Sequence, residues 1–187
     1  NSSLIAAGAT IGFPATALHQ ENSFKPKIKK SLKIEMVKGE MSIMDKFKML
    51  KELDYDGVEF SSPHNYDHKE ILAARDKTGL LIPGVVNSEH WKSPLSSPDP
   101  AVRDKCFNTV IQSLNDCKMY GGTTVLLVAG VVNDKISYAD AYKHTQEQIR
   151  KLIPHAEKTG IKIAIENVWN NFLISPLESA KYVDEIN

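Results

Sequence analysis

Carboxylates follow short apolar segments at three places in this sequence. Glu35, Glu59 and Glu166 each come at or near the end of such a segment, and Glu166 closes the most apolar one, residues 161–165. An unpaired carboxylate is costly to bury unless a cation or hydrogen-bond donors receive it. For Glu166 we favour a divalent metal, Mg²⁺ or Mn²⁺ with oxygen ligands, or Co²⁺ or Zn²⁺ if histidine contributes. An ion pair with a neighbouring Lys or Arg is the alternative.

Aromatic and amide side chains lie beside these charges. A histidine next to an aromatic ring suits a polyol, because the ring packs against C–H groups while the hydroxyls form hydrogen bonds. A salt bridge from Glu59 to a loop lysine and a purely structural His90 remain open. We expect the substrate to be bound by five residues, namely Glu59, His90, Trp91, Asn167 and Trp169.

Strands and helices are predicted to alternate along the chain. β-Branched or apolar runs predict strands at 32–37, 57–60, 80–86, 123–129 and 161–168, and helical periodicity predicts helices at 42–53, 67–78, 100–120 and 138–158. Gly79, Gly121 and Gly160 stand where helices should end, since glycine tolerates the left-handed conformation found there. This βα repeat predicts parallel strands covered by helices.

Two architectures fit such a repeat, an open doubly wound sheet and a (β/α)8 TIM barrel. After the first strand only Gly39 is present, without the G-x-G-x-x-G motif of dinucleotide-binding sheets. The strands start roughly 32 residues apart, so eight units would take about 260 residues, close to the ~250 of a TIM barrel. We therefore predict that residues 31–187 form the N-terminal part of a TIM barrel, with five βα units here and three beyond residue 187. The active site should lie at the carboxyl ends of the strands.

The first 30 residues differ from the rest. Residues 4–14 form an uncharged apolar run of signal-peptide length, shorter than the ~20 residues of a membrane span, and Ala15, Thr16 and Ala17 suit signal peptidase. We interpret residues 1–30 as a signal-peptide remnant and linker, and predict a periplasmic or otherwise exported protein. A disordered N-terminal arm and a cytoplasmic protein are the alternatives. The five lysines within 25–33 are interpreted as part of a solvated linker.

Composition limits the partners. With 42% hydrophobic and 25% charged residues the chain is typical of soluble globular proteins, and 23 basic residues balance 23 acidic ones. This balance argues against binding of nucleic acid or of a membrane once the leader is removed. We expect a small-molecule sugar as partner, and leave homo-oligomerisation open. Cys106 and Cys117 are predicted to be free and half-buried, and His64 and His68 to lie on the surface.

Three motifs resemble the sugar phosphate isomerase/epimerase family, the xylose isomerase-like TIM barrels. They are Gly-Val-Glu-Phe at 57–60, Asn-Ser-Glu-His-Trp at 87–91 and Ile-Glu-Asn-Val-Trp-Asn-Asn-Phe-Leu-Ile-Ser-Pro at 165–176. The resemblance covers residues 31–187 and implies one divalent metal (Mn, Mg, Co or Zn), held by Glu, Asp, His and Glu after the fifth to eighth strands. Only the first of these ligands, Glu166, falls in this sequence. By the same resemblance Glu166 is also the general acid/base. Residues 2–9 resemble part of a twin-arginine leader.

The reaction implied by this resemblance is sugar isomerisation or epimerisation. A carboxylate removes the proton α to a carbonyl, and the metal stabilises the enediolate that forms. The epimerases tend to carry a second glutamate six residues after the first, where this chain has Phe172, so we expect a different substrate orientation. An exported protein would meet unphosphorylated sugars, and the alternative is therefore a lyase or hydratase acting on oxidised (keto) glycosides. A non-catalytic carbohydrate-binding barrel is a further alternative, and an abasic-site endonuclease is disfavoured by the balanced charge.

Overall fold

The computed structural model describes residues 28–186, in which strands and helices alternate. The strands are β1 (Ser31–Lys33), β2 (Gly57–Ser62), β3 (Gly84–Asn87), β4 (Thr124–Leu127) and β5 (Lys162–Ile165), and the helices are α1 (Ile43–Glu52), α2 (His68–Thr78), α3 (Pro100–Tyr120), α4 (Tyr138–Thr159) and α5 (Pro176–Asp184). A short 3-10 helix spans Ile34–Met36. The predicted leader at residues 1–17 lies outside the described residues.

The five strands form one parallel sheet in the order β1-β2-β3-β4-β5. Each strand lies next to the strand that follows it in sequence, so every helical connection advances in the same direction. A doubly wound sheet reverses its strand order at one point, whereas a TIM barrel does not. The prediction of five βα units of a TIM barrel is therefore confirmed, and the doubly wound alternative is wrong.

Successive side chains of each strand point to opposite faces of the sheet. Val58, Phe60, Val85 and Val125 are buried in a hydrophobic core with the surrounding helices. A second hydrophobic cluster lies between β4, α4 and α5. The residues that alternate with these face the concave side, which corresponds to the interior of a barrel.

Side-chain caps mark where the helices begin, and glycines mark where three of them end. Ser42, Asp67, Asp99, Ser137 and Ser175 each accept a hydrogen bond from a main-chain N–H of the first helical turn. The three predicted glycine ends are confirmed, with φ of 69° at Gly79, 78° at Gly121 and 74° at Gly160.

Several finer predictions about local structure were wrong. The first strand ends at Lys33, where the chain turns into the 3-10 helix. The third strand begins at Gly84 because Pro83 has no N–H for the ladder. Cys106 and Cys117 are free, as predicted, but fully buried.

Over residues 28–186 no helix is both long enough and apolar enough to cross a membrane.

Gly84→Ala should destabilise the fold. A Cβ at this position would lie 2.7 Å from the main-chain oxygen of Thr124, its register partner on β4, so two paired strands would have to separate. We expect a loss of about 1–3 kcal/mol in the free energy of unfolding, measured by urea denaturation. Wild-type stability in the Gly84 variant would contradict the assigned register.

Candidate functional site

The candidate site lies on the concave face, towards the carboxyl ends of the strands. Lys33 and Glu59 are direct register partners on β1 and β2, and both side chains are partly buried. Glu166 follows β5, and its main-chain N–H donates to the oxygen of Leu127 at 3.0 Å. The ladder thus extends one residue beyond β5 and places Glu166 at the end of the strand.

The Glu166 carboxylate acts on Glu59 across this face. Burial raises the pKa of the Glu59 carboxyl, the Glu166 carboxylate raises it further, and the Lys33 ammonium partly offsets the rise. Glu59 also lines a pocket of about 310 Å³ with Gly84 and Ala164, towards the amino ends of β3 and β4, and neither Glu166 nor His90 lines this pocket. The structure therefore brings together two carboxylates that the sequence places 107 positions apart.

Glu166 itself is exposed, contrary to the burial expected from its apolar strand. β5 is the last strand of the described sheet, and its side chains alternate between exposed and half-buried. Within residues 28–186 no three His, Cys, Asp or Glu side chains converge on a point that could hold a metal. The carboxylate of Glu166, with Glu59 nearby, is a fitting oxygen donor for Mg²⁺ or Mn²⁺ but supplies only part of the ligand set.

His90 is buried on the loop that follows β3, within electrostatic reach of Lys33 on β1. Its side chain is 4% exposed, and its Nδ1 accepts a hydrogen bond from the main-chain N–H of Val128 at 3.4 Å. The ring packs edge-on against Trp91, with 5.5 Å between the ring centroids. Burial, followed by the Lys33 ammonium, lowers the pKa of His90 to about 4, so the imidazole is neutral near pH 7.

The remaining predicted site residues are more exposed. Trp91 is 44% exposed and Trp169 is 88% exposed, and Asn167 is exposed as well. Asn167 and Trp169 lie on the loop between β5 and α5, at the same end of the sheet as Glu166. The structure thus pairs Glu59 with Glu166 and His90 with Trp91, and leaves Asn167 and Trp169 open to solvent.

Lys33 was missed as a site residue, and its assignment to a solvated linker was wrong. The residue ends β1 with its side chain on the concave face, close enough to Glu59 and His90 to change the pKa of both. The signal in the sequence is its place two residues before Glu35, on the alternate face from Leu32 and Ile34.

The prediction of surface positions for His64 and His68 was also wrong, since both side chains are partly buried against Tyr120. His64 Nδ1 accepts the main-chain N–H of Tyr66 at 3.1 Å, so its Nε2 carries the proton and donates to the Tyr120 hydroxyl at 2.8 Å. The Tyr120 hydroxyl also forms a hydrogen bond with Nδ1 of His68. Burial, followed by the neighbouring His68, lowers the pKa of His64.

Glu35 lies next to this cluster rather than at the end of a strand. Its Oε1 accepts the main-chain N–H of Ser61 at 3.2 Å, which ties the 3-10 helix to β2. Its Oε2 is buried and is the one buried side-chain nitrogen or oxygen of the described residues that has no hydrogen-bond partner.

The surroundings of Phe172 explain why this position holds an apolar residue instead of a glutamate. It is fully buried, and its ring contacts those of Tyr138, Tyr142 and Tyr182 from α4 and α5. The residues on either side, 171 and 173, have φ of 54° and 55°, and this backbone turns the ring into the helix layer. Position 172 therefore presents no side chain to the concave face.

Asn170 fixes the same loop. Its side-chain amide donates to the main-chain oxygen of Gly130 at 2.7 Å, and its own main-chain oxygen accepts the N–H of Val132 at 3.0 Å. Sequence reasoning missed this residue, because nothing in the sequence shows that the loops after β4 and β5 lie side by side.

An α/β barrel-type sheet with carboxylates, an imidazole and aromatic rings at its carboxyl end defines the class of protein. A family model described as xylose isomerase-like TIM barrel matches residues 47–187. The chain belongs to this xylose isomerase-like TIM barrel family.

Solved structures share this fold at low sequence identity. A D-psicose 3-epimerase with D-fructose present has a TM-score of 0.73 and 18% identity, over 86% of this chain and 60% of its own. A 3-keto-D-glucoside 4-epimerase from E. coli has a TM-score of 0.64 and 18% identity, over 79% and 60%. An AP endonuclease of family 2 from Brucella melitensis has a TM-score of 0.69 and 16% identity, over 86% and 65%. The chain thus spans less than two thirds of these proteins, and no curated protein matches it.

Phe172→Glu should not create the glutamate found in the ketose epimerases. The new carboxylate would be buried among three tyrosine rings, without a cation to receive it. We expect a loss of at least about 3 kcal/mol in the free energy of unfolding, or no folded protein. Phe172→Leu, the apolar control, should lose less. A stable Phe172→Glu variant would show that the loop can turn this side chain towards the site.

Glu59→Gln should raise stability at neutral pH. The raised pKa of Glu59 means that the folded state binds a proton more tightly than the unfolded state does, so ionisation costs stability as the pH rises above about 4.5. We expect a gain of a few tenths of a kcal/mol at pH 7 that disappears below pH ~4, since the group is only half-buried. Thermal unfolding at both pH values measures this gain. Glu147→Gln, which changes an exposed glutamate of α4, is the control. A loss of stability at pH 7 would contradict the assigned surroundings of Glu59.

Proposed function

We propose that this chain is part of a divalent-metal-dependent sugar isomerase or epimerase that removes the proton α to a carbonyl. The observation that carries the proposal is the pair of carboxylates on the concave face, in which the Glu166 carboxylate raises the pKa of Glu59. Membership of the xylose isomerase-like family and the likeness to a D-psicose 3-epimerase support it. The proposal concerns the activity of the whole protein, because this chain spans 60% of the D-psicose 3-epimerase structure.

Each site residue has a role in this proposal. Glu166, exposed at the end of β5, is the metal ligand and moves the proton as general acid/base. Glu59 accepts a hydrogen bond from a substrate hydroxyl, as Asn167 does through its amide. Trp91 and Trp169 pack against the C–H face of the sugar. A bound divalent ion would act as a Lewis acid on the substrate carbonyl.

An unphosphorylated sugar is the favoured substrate class. The Glu59 carboxyl has the Glu166 carboxylate as a like-charged neighbour, an effect that the Lys33 ammonium offsets only in part. A phosphate dianion beside the two carboxylates would be repelled by both, whereas neutral hydroxyl groups would be bound by them. The proposed export of the protein, with a leader outside the described residues, favours the same class.

A lyase or hydratase acting on oxidised (keto) glycosides is the second candidate. It would use the same α-proton abstraction but expel a leaving group. The observation that favours it is the burial of Phe172, which leaves the site without the second glutamate of the ketose epimerases. The likeness to a 3-keto-D-glucoside 4-epimerase points to the same kind of substrate.

Metal content and proton exchange of the full-length protein test the proposal. We expect about one divalent ion per chain after purification without chelator, and exchange of the α-proton of a ketose with D2O detected by NMR. Glu166→Gln should weaken metal binding and slow this exchange by at least about 100-fold. Glu147→Gln, an exposed glutamate on α4, is the matched control and should change neither.

The other outcomes separate the alternatives. Metal without ketose exchange, but with elimination from a keto-glycoside, would support the lyase. Absence of metal in both wild type and variant would overturn the catalytic proposal and leave a carbohydrate-binding barrel.

A further inference from the structure

A hydrogen bond from a main-chain N–H determines the tautomer of the His90 imidazole. Its Nδ1 accepts a hydrogen bond from the N–H of Val128, directly after β4. A ring nitrogen that accepts a hydrogen bond carries no proton, so in the neutral imidazole the proton is on Nε2. The surroundings of the ring therefore make Nε2 a donor.

This Nε2 donor has no partner among residues 28–186. A fully buried nitrogen or oxygen without a partner occurs once among the described side chains, at Oε2 of Glu35. Nε2 of His90 is therefore not fully buried, and it reaches solvent although the residue is 4% exposed. Nδ1 faces β4, and Nε2 is on the other side of the ring. An N–H group that is held in place, almost buried and still accessible is suited to receive a ligand oxygen.

The charged groups of the candidate site come from several elements. Lys33 lies on β1, Glu59 on β2 and Glu166 after β5, all at the concave face. On the loop of His90 itself, Glu89 forms an ion pair with Lys105 at 2.8 Å. Of these groups, Lys33 is the one that adds to the effect of burial in lowering the pKa of the imidazole, because it disfavours a second positive charge.

We propose that His90 is a hydrogen-bond donor of the site, which gives its Nε2 proton as a hydrogen bond to a carbonyl or hydroxyl oxygen of the substrate. Lys33 is a positioning residue in this arrangement, because its ammonium adds to the effect of burial in disfavouring a charged imidazole. His90 then cannot serve as the general base, which leaves proton abstraction to a carboxylate. A fixed donor at a developing oxyanion stabilises it without reorganisation.

The inference rests on the proposed function for the identity of the ligand as a sugar, but the tautomer can be tested without any turnover. ¹⁵N NMR of the imidazole in the ligand-free, full-length protein should show a protonated Nε2 and an unprotonated Nδ1 from pH 8 down to about 5. A protonated Nδ1, or an imidazolium at pH 7, would overturn the proposal.

Lys33→Met tests the positioning role. Without the ammonium, the pKa of His90 should rise by about 0.5–1 unit in the NMR titration, while the tautomer at pH 7 stays the same. Lys38→Met removes an exposed lysine and should leave the titration unchanged. An identical titration in wild type and Lys33→Met would refute the role of Lys33.

Binding of D-fructose as a probe tests the donor. We expect the Nε2–H resonance of His90 to shift on titration with the ketose, and the affinity for it to fall about 10-fold or more in His90→Leu. His90→Gln, which keeps a side-chain N–H, should recover part of this loss. If the ketose binds to wild type without moving the Nε2–H resonance, His90 is not a donor to it.

The two proposals fail differently. A shifted Nε2–H without metal or proton exchange would retain the donor and overturn the isomerase. Metal and exchange together with an imidazolium at pH 7 would retain the isomerase and overturn the donor.

Discussion

The register of five parallel strands is the constraint on which the site depends. Because side chains alternate between the two faces, burial of Val58 and Phe60 against the helices forces Glu59 onto the concave side. A slip by one residue would place a carboxylate in the hydrophobic core and two apolar side chains at the pocket. The free energy that fixes the register thus comes from the helix layer, on the opposite side of the sheet from the chemistry.

The loop after β5 shows the same division of labour within a few residues. Phe172 is buried among the tyrosines of α4 and α5, and Asn170 is bonded to the neighbouring loop, whereas Asn167 and Trp169 are exposed. The backbone at residues 171 and 173 adopts the left-handed region, which costs non-glycine residues about 1–2 kcal/mol each. Burial of the aromatic ring offsets that cost and holds the loop in one conformation.

The sequence predicted local structure well and long-range surroundings poorly. Helix ends at Gly79, Gly121 and Gly160 follow from the conformational range of glycine, and strand positions follow from apolar runs, so both were predictable. Long-range contacts were not predictable in this way. Lys33 faces the concave side because it pairs with Glu59, 26 residues away, and His64 bonds to Tyr120, 56 residues away. Glu166 is exposed because β5 is the last strand of the described sheet. The apolar residues of the strand itself do not indicate that position.

Hydrogen bonds join the main-chain N–H of Tyr66 to His64, His64 to the Tyr120 hydroxyl, and that hydroxyl to His68. Since the first donor is a main-chain N–H, which cannot reverse, neutral His64 carries its proton on Nε2 and donates it to Tyr120. Linked hydrogen bonds polarise one another, so the chain is stronger than three separate bonds. The loop after β2, the start of α2 and the end of α3 are therefore joined by one polar cluster, and an added proton on Nδ1 of His64 would break its bond to Tyr66.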